Sequence, residues 1–325
     1  MSLKQPPILK VDNLKMHFPV KEGILLRANK FNKAVDGISF EIQPGETLGL
    51  VGESGCGKST LGRCIARLYE PTSGSIEFEG TDITKLKGKA LMPYRQNIQM
   101  IFQDPMESLN SRHTVGDILE EPYIVQKIGD RASRAKRVRE LLDIVGLPAR
   151  SMTRYPFEFS GGQRQRIGIA RSIALNPKLV VCDEPVSALD VSIQSQILNL
   201  LVDLQKEFNL AYLFIAHDLA VVKHISDRIA IMYLGNIVEE STGESIYHEP
   251  RHPYTKSLIS AIPVPDPHLR VKREIITGDV PSPINPPTGC RFHPRCPRVM
   301  ERCKIEAPLL RTIADHQVCC HLDDL

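Results

Sequence analysis

Glu46-Thr-Leu-Gly-Leu-Val51, running into Gly52-Glu-Ser-Gly55-Cys-Gly57-Lys58-Ser59-Thr60, is the stretch that decides the fold. The first six residues read as a short apolar strand. The next nine fit G-x-x-x-x-G-K-S/T, and a helical pattern begins at Leu61. Glycines lack Cβ, so successive backbone N–H groups can turn toward one point, and a helix N-terminus adds positive potential there. Strand, loop, lysine, hydroxyl and helix in this order predict a phosphate-binding loop made by Gly52, Ser54, Gly55, Cys56, Gly57, Lys58, Ser59 and Thr60. Lys58 is expected to bridge β- and γ-phosphates, and Ser59 to ligate Mg²⁺.

Outward from this loop the chain reads as an α/β protein. Ile8 to Phe18 and Ala34 to Ile42 read as strands. Leu179-Val-Val-Cys182 and Tyr212-Leu-Phe-Ile-Ala216 are continuous apolar runs of the kind buried in parallel sheets. Residues 113–150 read as mostly helical. The run Arg131 to Glu140 is rich in charge but lacks interleaved aromatic rings for base stacking, so it reads as a solvated helix face. The 325 residues carry 41 Lys+Arg against 38 Asp+Glu, a net charge of +3. That balance gives no field for nucleic acid, and none is expected as a partner. Charged residues are 24% and hydrophobic residues 42%, which excludes a disordered chain. No run reaches the ~18 apolar residues of a membrane span, and no apolar leader follows Met1, so a cytoplasmic location is expected.

The strand at Leu179 ends on Asp183-Glu184. Beside a phosphate loop, Asp183 is placed to hold Mg²⁺ directly or through water, and Glu184 to polarise an attacking water. Phe159-Ser160-Gly161-Gly162-Gln163-Arg164-Gln165-Arg166 resembles the signature motif of ATP-binding cassette (ABC) ATPases. Gln103 in Met100-Ile-Phe-Gln-Asp-Pro resembles the Q-loop, Ser187-Ala-Leu-Asp190 the D-loop, and His217 in Ile215-Ala-His-Asp the switch histidine. Phe18 lies where the family places an aromatic against adenine. The resemblance spans about residues 8–260.

It implies a P-loop ABC cassette with a helical subdomain at about 104–176. Glu184, His217 and Gln103 would be catalytic, with Gln103 also near Mg²⁺. Ser160, Gly161, Gly162, Gln163 and Asp190 would contact ATP held by a partner subunit. The residues support the last point in their own right. Ser160 is a natural N-cap, and two glycines expose the first N–H groups of a helix running to about Leu175, which makes an anion site.

Within the family, His17-Phe18-Pro19-Val20-Lys21, Val51 to Thr60 and Gln103-Asp-Pro-Met-Glu-Ser-Leu-Asn110 resemble the F-type ATPase subunits of dipeptide and oligopeptide permeases. This implies import of peptides, a paralogous D-type ATPase partner and two integral membrane subunits. It further implies an external solute-binding protein and a peripheral seat on the cytoplasmic face of the membrane. Importers of nickel and other small solutes share much of the pattern. A soluble ABC ATPase of repair or translation is the alternative from another class, but such chains carry a coiled-coil insertion or a second cassette. A metal-sensing protein with a vestigial cassette is opposed by the intact Lys58, Asp183, Glu184 and His217.

Composition changes near residue 262. Residues 263–297 hold nine prolines, among them Pro263, Pro265, Pro267 and Pro286-Pro287, so 1–262 is read as the nucleotide-binding domain and 263–325 as a loop-rich appendage. Five of eight cysteines crowd into this appendage. Cys290, Cys296 and Cys303 are spaced C-x5-C-x6-C, and Cys319-Cys320 follow. The spacing matches neither common zinc ribbons nor ferredoxin runs, so it supports a soft-metal site without naming the metal, or unligated thiols. Gly-Cys-Arg-Phe-His-Pro-Arg-Cys-Pro also resembles the tail of those permease ATPases, which implies an iron–sulfur (4Fe-4S) cluster on Cys290, Cys296, Cys303 and Cys320, with Cys319 as the rival fourth ligand. Zinc, with His293, His316 or His321 as replacement ligands, is the runner-up.

Overall fold

The computed structural model describes residues 6–22, 27–262 and 276–322. Pro263, Pro265 and Pro267, and with them the start of the expected appendage, lie outside the described residues. The described residues form two sheets. The smaller is antiparallel, in the order β2-β1-β4-β5, from β1 (Leu9–Glu22), β2 (Arg27–Ile42), β4 (Ser73–Phe78) and β5 (Thr81–Asp82). The hairpin β1–β2 is longer than its apolar runs suggest, because pairing continues through several bulges to Glu22↔Arg27.

The larger sheet is mixed and holds the core. Its middle is β3 (Thr47–Val51), β6 (Ile98–Ile101), β7 (Leu179–Asp183), β8 (Ala211–Ala216) and β9 (Arg228–Tyr233), parallel in the order β9-β3-β8-β7-β6. Every residue of β3, β7 and β8 is buried, which is why these strands read as unbroken apolar runs rather than alternating ones. Register brings Val51 beside Ala216, Asp183 beside Ile215 and Ile101 beside Cys182. Four strands therefore end side by side, and their carboxyl ends deliver Gly52, Gln103, Glu184 and His217 to one edge. Open α/β sheets bind ligands at this edge.

Helix α1 (Lys58–Ile65) follows β3, and α2 (Met92–Asn97) leads into β6. Four helices then form a separate layer: α3 (Pro105–Ser108), α4 (Val115–Val125), α5 (Arg131–Ile144) and α6 (Gly161–Ile173). Val115, Ile118, Leu119, Leu142, Ile167 and Ile169 fill it. Two capping boxes fix its helix starts, Thr114 with Asp117 and Ser160 with Gln163. Helix α6 stops at Ile173, slightly short of the expected Leu175. Helices α7 (Val191–Phe208) and α8 (Leu219–Ile225) follow β7 and β8.

The far edge of the large sheet continues through β10 (Asn236–Thr242), then β12 (His316–Cys319) and β11 (Leu310–Ile313). The C-terminal hairpin thus borrows its neighbour from the cassette, pairing Glu239 with Val318 and Glu240 with Gln317. Around it lie α9 (Gly243–His248), α10 (Pro253–Ser260) and the single turn α11 (Glu301–Ile305). Glu239 is fully buried and joins three segments. Its carboxylate accepts from the backbone N–H groups of Arg251 (2.8 Å) and His252 (2.9 Å), and faces His316 Nδ1 at 2.8 Å.

Replacing Glu239 with Ala would leave these buried groups without their acceptor, and each unmatched buried donor costs about 1–3 kcal/mol. Glu239→Ala should lower the urea midpoint clearly and make the hairpin after Leu309 an early site of proteolysis. An unchanged midpoint would show that the carboxylate does not hold these segments together.

Candidate active site

The phosphate loop is shaped by two left-handed glycines, Gly55 at φ +80° and Gly57 at φ +107°. A Cβ at Gly57 would lie 1.9 Å from the Ala34 carbonyl oxygen, and one at Gly52 2.1 Å from that of Met232. The loop is therefore wedged between two strands and closes on itself. Lys58 is buried, and its ammonium donates back to the carbonyls of Gly52 (2.7 Å) and Glu53 (3.1 Å). The positive group is held over the loop at the N-terminus of α1, where an anion is favoured.

Ser59 and Asp183 meet at the foot of this loop. Ser59 donates through Oγ to Asp183 Oδ1 at 2.7 Å, while Asp183 Oδ2 is buried with no hydrogen-bond partner. Burial pushes the Asp183 carboxyl above its usual range, opposed by the Ser59 bond. An orphaned buried carboxylate oxygen next to a hydroxyl is costly alone and is a donor set suited to a hard divalent cation. These residues fit Mg²⁺.

Glu184, one residue on, has left-handed backbone at φ 45°. Such strain in a non-glycine residue is uncommon and clusters at functional sites. Gln103 Nε2 donates to Glu184 Oε2 at 3.2 Å, and His217 Nδ1 lies 3.2 Å from the same oxygen. Two residues from neighbouring strand ends thus converge on one carboxylate oxygen of a third, Glu184. The His217 side chain is 56% exposed, so it is not a core histidine.

On β1, Phe18 is half-buried and meets Tyr69 edge-on, with ring centroids 5.7 Å apart. Arg63 lies over Tyr69 at 5.9 Å. The sequence reading missed Tyr69, which stands in no motif. Beside Phe18, His17 Nε2 lies 2.9 Å from Asp36.

The other expected residues form a second group. Ser160 and Gln163 make their reciprocal capping bonds within the start of α6. Asp190 is exposed at the start of α7 and makes no side-chain cap. The two signature glycines differ. A Cβ at Gly162 would lie 2.5 Å from Ile193 Cγ2, so this position is small because α6 packs on α7 there. At Gly161 the nearest atom is Leu189 Cδ2 at 3.4 Å, an ordinary contact.

The iron–sulfur expectation, and the metal-binding appendage with it, is corrected here. Among the described residues no group of three or more His, Cys, Asp or Glu side chains is arranged to hold a metal ion. The eight cysteines are free thiols. Cys290, Cys296, Cys303 and Cys320 come near enough to act on one another electrostatically, but burial dominates. It pushes Cys290 up to about 12 and raises Cys296 and Cys320. Of the histidines offered for zinc, His293 meets the Cys290 carbonyl, His316 meets Glu239 and His321 meets the Glu306 carbonyl, each through one ring nitrogen.

Two residues whose link to the nucleotide site the sequence reading did not foresee reach the phosphate loop. The Glu53 backbone N–H donates to Tyr254 Oη at 3.0 Å, and the Glu53 carboxylate pairs with Arg295. They lie 201 and 242 positions away; Arg295 stands in the run Gly-Cys-Arg-Phe-His-Pro-Arg-Cys-Pro, but nothing local to it points to Glu53.

Known proteins match this geometry. Residues 35–187 match the family described as ABC transporter, and residues 238–303 match the oligopeptide/dipeptide transporter C-terminal region. The chain is 52% identical over 324 residues to the putative oligopeptide transport ATP-binding protein YkfD of Bacillus subtilis, covering 98% of this chain and 97% of that one. It is equally identical over 322 residues to the oligopeptide transport ATP-binding protein AppF of the same organism, covering 98% of each. Among solved structures, the ADP- and phosphate-bound dimer of the ATP-binding cassette MJ0796 superposes with a TM-score of 0.64 at 29% identity, covering 72% of this chain and 98% of that one. CbiO1 of Clostridium perfringens does so with a TM-score of 0.64 at 28% identity, covering 75% and 92%. The match therefore runs through the cassette and onward through the C-terminal region, and the chain belongs to the ABC transporter ATP-binding proteins, in the group that carries the oligopeptide/dipeptide transporter C-terminal region.

Proposed function

We propose that this chain is the ATP-hydrolysing subunit that powers import of di- and oligopeptides by a membrane ABC transporter. The observation that carries the enzymatic part is the convergence of Gln103, Glu184 and His217 beside Lys58, Ser59 and Asp183. The peptide part is supported by the names of the relatives and by the matched C-terminal region.

In this reading backbone N–H groups of the loop after Glu53 cradle the phosphates, with Lys58 on the β- and γ-phosphates. Phe18, with Tyr69 at its edge, supports the adenine. Bound Mg²⁺ neutralises charge building on the phosphate oxygens. Ser59 and Asp183 hold it, with Gln103 beside them. Glu184 takes a proton from water as the water oxygen bonds to the γ-phosphorus and the bond to the β–γ bridging oxygen breaks, leaving ADP and phosphate. Gln103 and His217 orient the Glu184 carboxylate.

Ser160, Gly161, Gly162, Gln163 and Asp190 act on ATP held by another subunit, a paralogous D-type ATPase. The free N–H groups at the start of α6 are the anion site they offer. No helix among the described residues is long and apolar enough to cross a membrane. The membrane path therefore belongs to integral permease subunits, with this chain peripheral on the cytoplasmic side and a solute-binding protein outside. A cleft of about 750 Å³ between the Gln103 loop and α4, lined by Leu68, Phe102, Asp104, Val125 and Arg171, is where a permease subunit would seat.

A general base contributes about 10²–10⁴-fold. Glu184→Gln should therefore bind MgATP, trap a closed dimer with the partner ATPase and lose at least about 10²-fold in turnover in the assembled transporter. Near-normal phosphate release would remove Glu184 from its role.

The shared site is tested at Gly161, since an aspartate at Gly162 would collide with Ile193. Gly161→Asp places a carboxylate at the helix start, where it should repel the partner's γ-phosphate. The isolated variant should bind MgATP like the native chain yet fail to form the closed dimer. Loss of binding by the isolated variant would mean that the residue serves its own chain's nucleotide.

A further inference from the structure

Glu53 stands in the phosphate loop between Gly52 and Ser54, and all three of its polar parts are held. Its carbonyl accepts from Lys58 at 3.1 Å. Its N–H donates to Tyr254 on α10. Both carboxylate oxygens are gripped by one guanidinium, Arg295 Nη1 to Oε2 at 2.7 Å and Nη2 to Oε1 at 3.1 Å. This is a two-point fork, the strong form of a charged hydrogen bond, and one a lysine cannot reproduce. The Arg295 side chain is 8% exposed and that of Glu53 27%, so water screens the pair poorly.

Arg295 belongs to the loop between Cys290 and Cys296, and that loop is firmly seated. Phe292, almost fully buried, packs on Tyr233 and Tyr254 with ring centroids 5.3 Å away in each case, and on His252 at 5.6 Å. Tyr254, which holds the Glu53 amide, is thus itself braced by this loop. Arg291 pairs with Asp36 and donates to the Leu234 carbonyl. Asp36 in turn faces His17, next to Phe18, and the Gly235 N–H after Leu234 donates to the Cys56 carbonyl at 2.9 Å. One seven-residue loop therefore bears on the phosphate loop at Glu53 and Cys56 and on the strand that carries Phe18.

We propose that the Cys290–Cys296 loop positions the phosphate loop, with Arg295 acting through Glu53, so that its seating sets how tightly the chain holds MgATP. The link rests on the nucleotide site assigned above. Two effects act in the same direction. The fork fixes Glu53, whose carbonyl accepts from the Lys58 ammonium, and so holds the start of the loop that the nucleotide's phosphates would meet. It also neutralises a carboxylate that would otherwise stand beside a triphosphate and repel it. Arg295 is a positioning residue and touches no reacting atom.

The test measures equilibrium MgATP binding by the full chain and tail proteolysis with and without MgATP. Arg295→Ala should weaken binding about fivefold to twentyfold, within the usual range of coupling between sites, and Arg295→Lys should fall between. Adding Glu53→Gln to Arg295→Ala should recover most of the loss, because the repelling charge is gone; a merely structural staple would give no such rescue. Coupling is reciprocal, so MgATP should slow cleavage within 283–300 in the native chain and not in Arg295→Ala. In the assembled transporter KM for ATP should rise more than kcat falls. The link is overturned if folded Arg295→Ala binds MgATP within about twofold of the native chain, or if MgATP leaves tail cleavage unchanged. Should Arg295→Ala not fold, unchanged affinity in Arg295→Lys overturns it. A native chain that binds no MgATP would overturn the nucleotide-site reading, and the link with it.

Discussion

The bond from Ser59 to Asp183 joins the first turn of α1 to the end of β7, and the geometry of the whole site depends on it. Asp183 is fully buried, and only the hydroxyl answers one of its oxygens. Leaving a carboxylate in that state is unfavourable unless a cation completes it. The fold accepts this because β3, β7 and β8 are enclosed on both faces and leave the carboxylate nowhere else to go. The same enclosure brings the next residue, Glu184, out at the sheet edge in left-handed backbone, aimed at Gln103 and His217. In the proposed mechanism, cation site and water site are thus two consequences of one strand ending.

Most of this arrangement was legible because it is written contiguously. A phosphate loop is nine neighbouring residues, and buried parallel strands announce themselves as apolar runs. Gln103, Glu184 and His217 each end such a run, so their convergence follows once the strands are placed in order. Tyr69, Tyr254 and Arg295 were illegible for the opposite reason. Each reaches the site by a tertiary contact, and the sequence around it, even the cysteine pattern around Arg295, says nothing of that contact.

The C-terminal region shows the limits of composition more sharply. Proline density suggested a loop-rich appendage over 263–325, and among its described residues 276–300 hold a single 3-10 turn. It gave no hint that β12 would complete its hydrogen bonds on β10, since edge pairing is a property of the strand already there. The cysteines mislead in another way. Spacing records how many residues separate thiols but not how the fold arranges them. Among the described residues no group of three or more side chains is arranged to hold a metal ion. Four cysteines can be drawn together as small apolar side chains, for which burial alone is sufficient reason.

The C-terminal segment is therefore best understood through what it leans on. It has a small cluster of its own, Val318, Cys320 and Leu322, while Phe292 enters the main core beside Tyr233 and Tyr254. Glu239 holds its hairpin from the cassette side, and Arg291 and Arg295 reach back to Asp36 and Glu53. Each attachment lands on a residue that already has a task in the cassette rather than on open surface. Buried charged contacts have geometric requirements, and a bidentate arginine tolerates little displacement of its partner. A segment fastened in this way cannot shift without shifting the loop that holds the phosphates, and that loop cannot change shape without straining the segment.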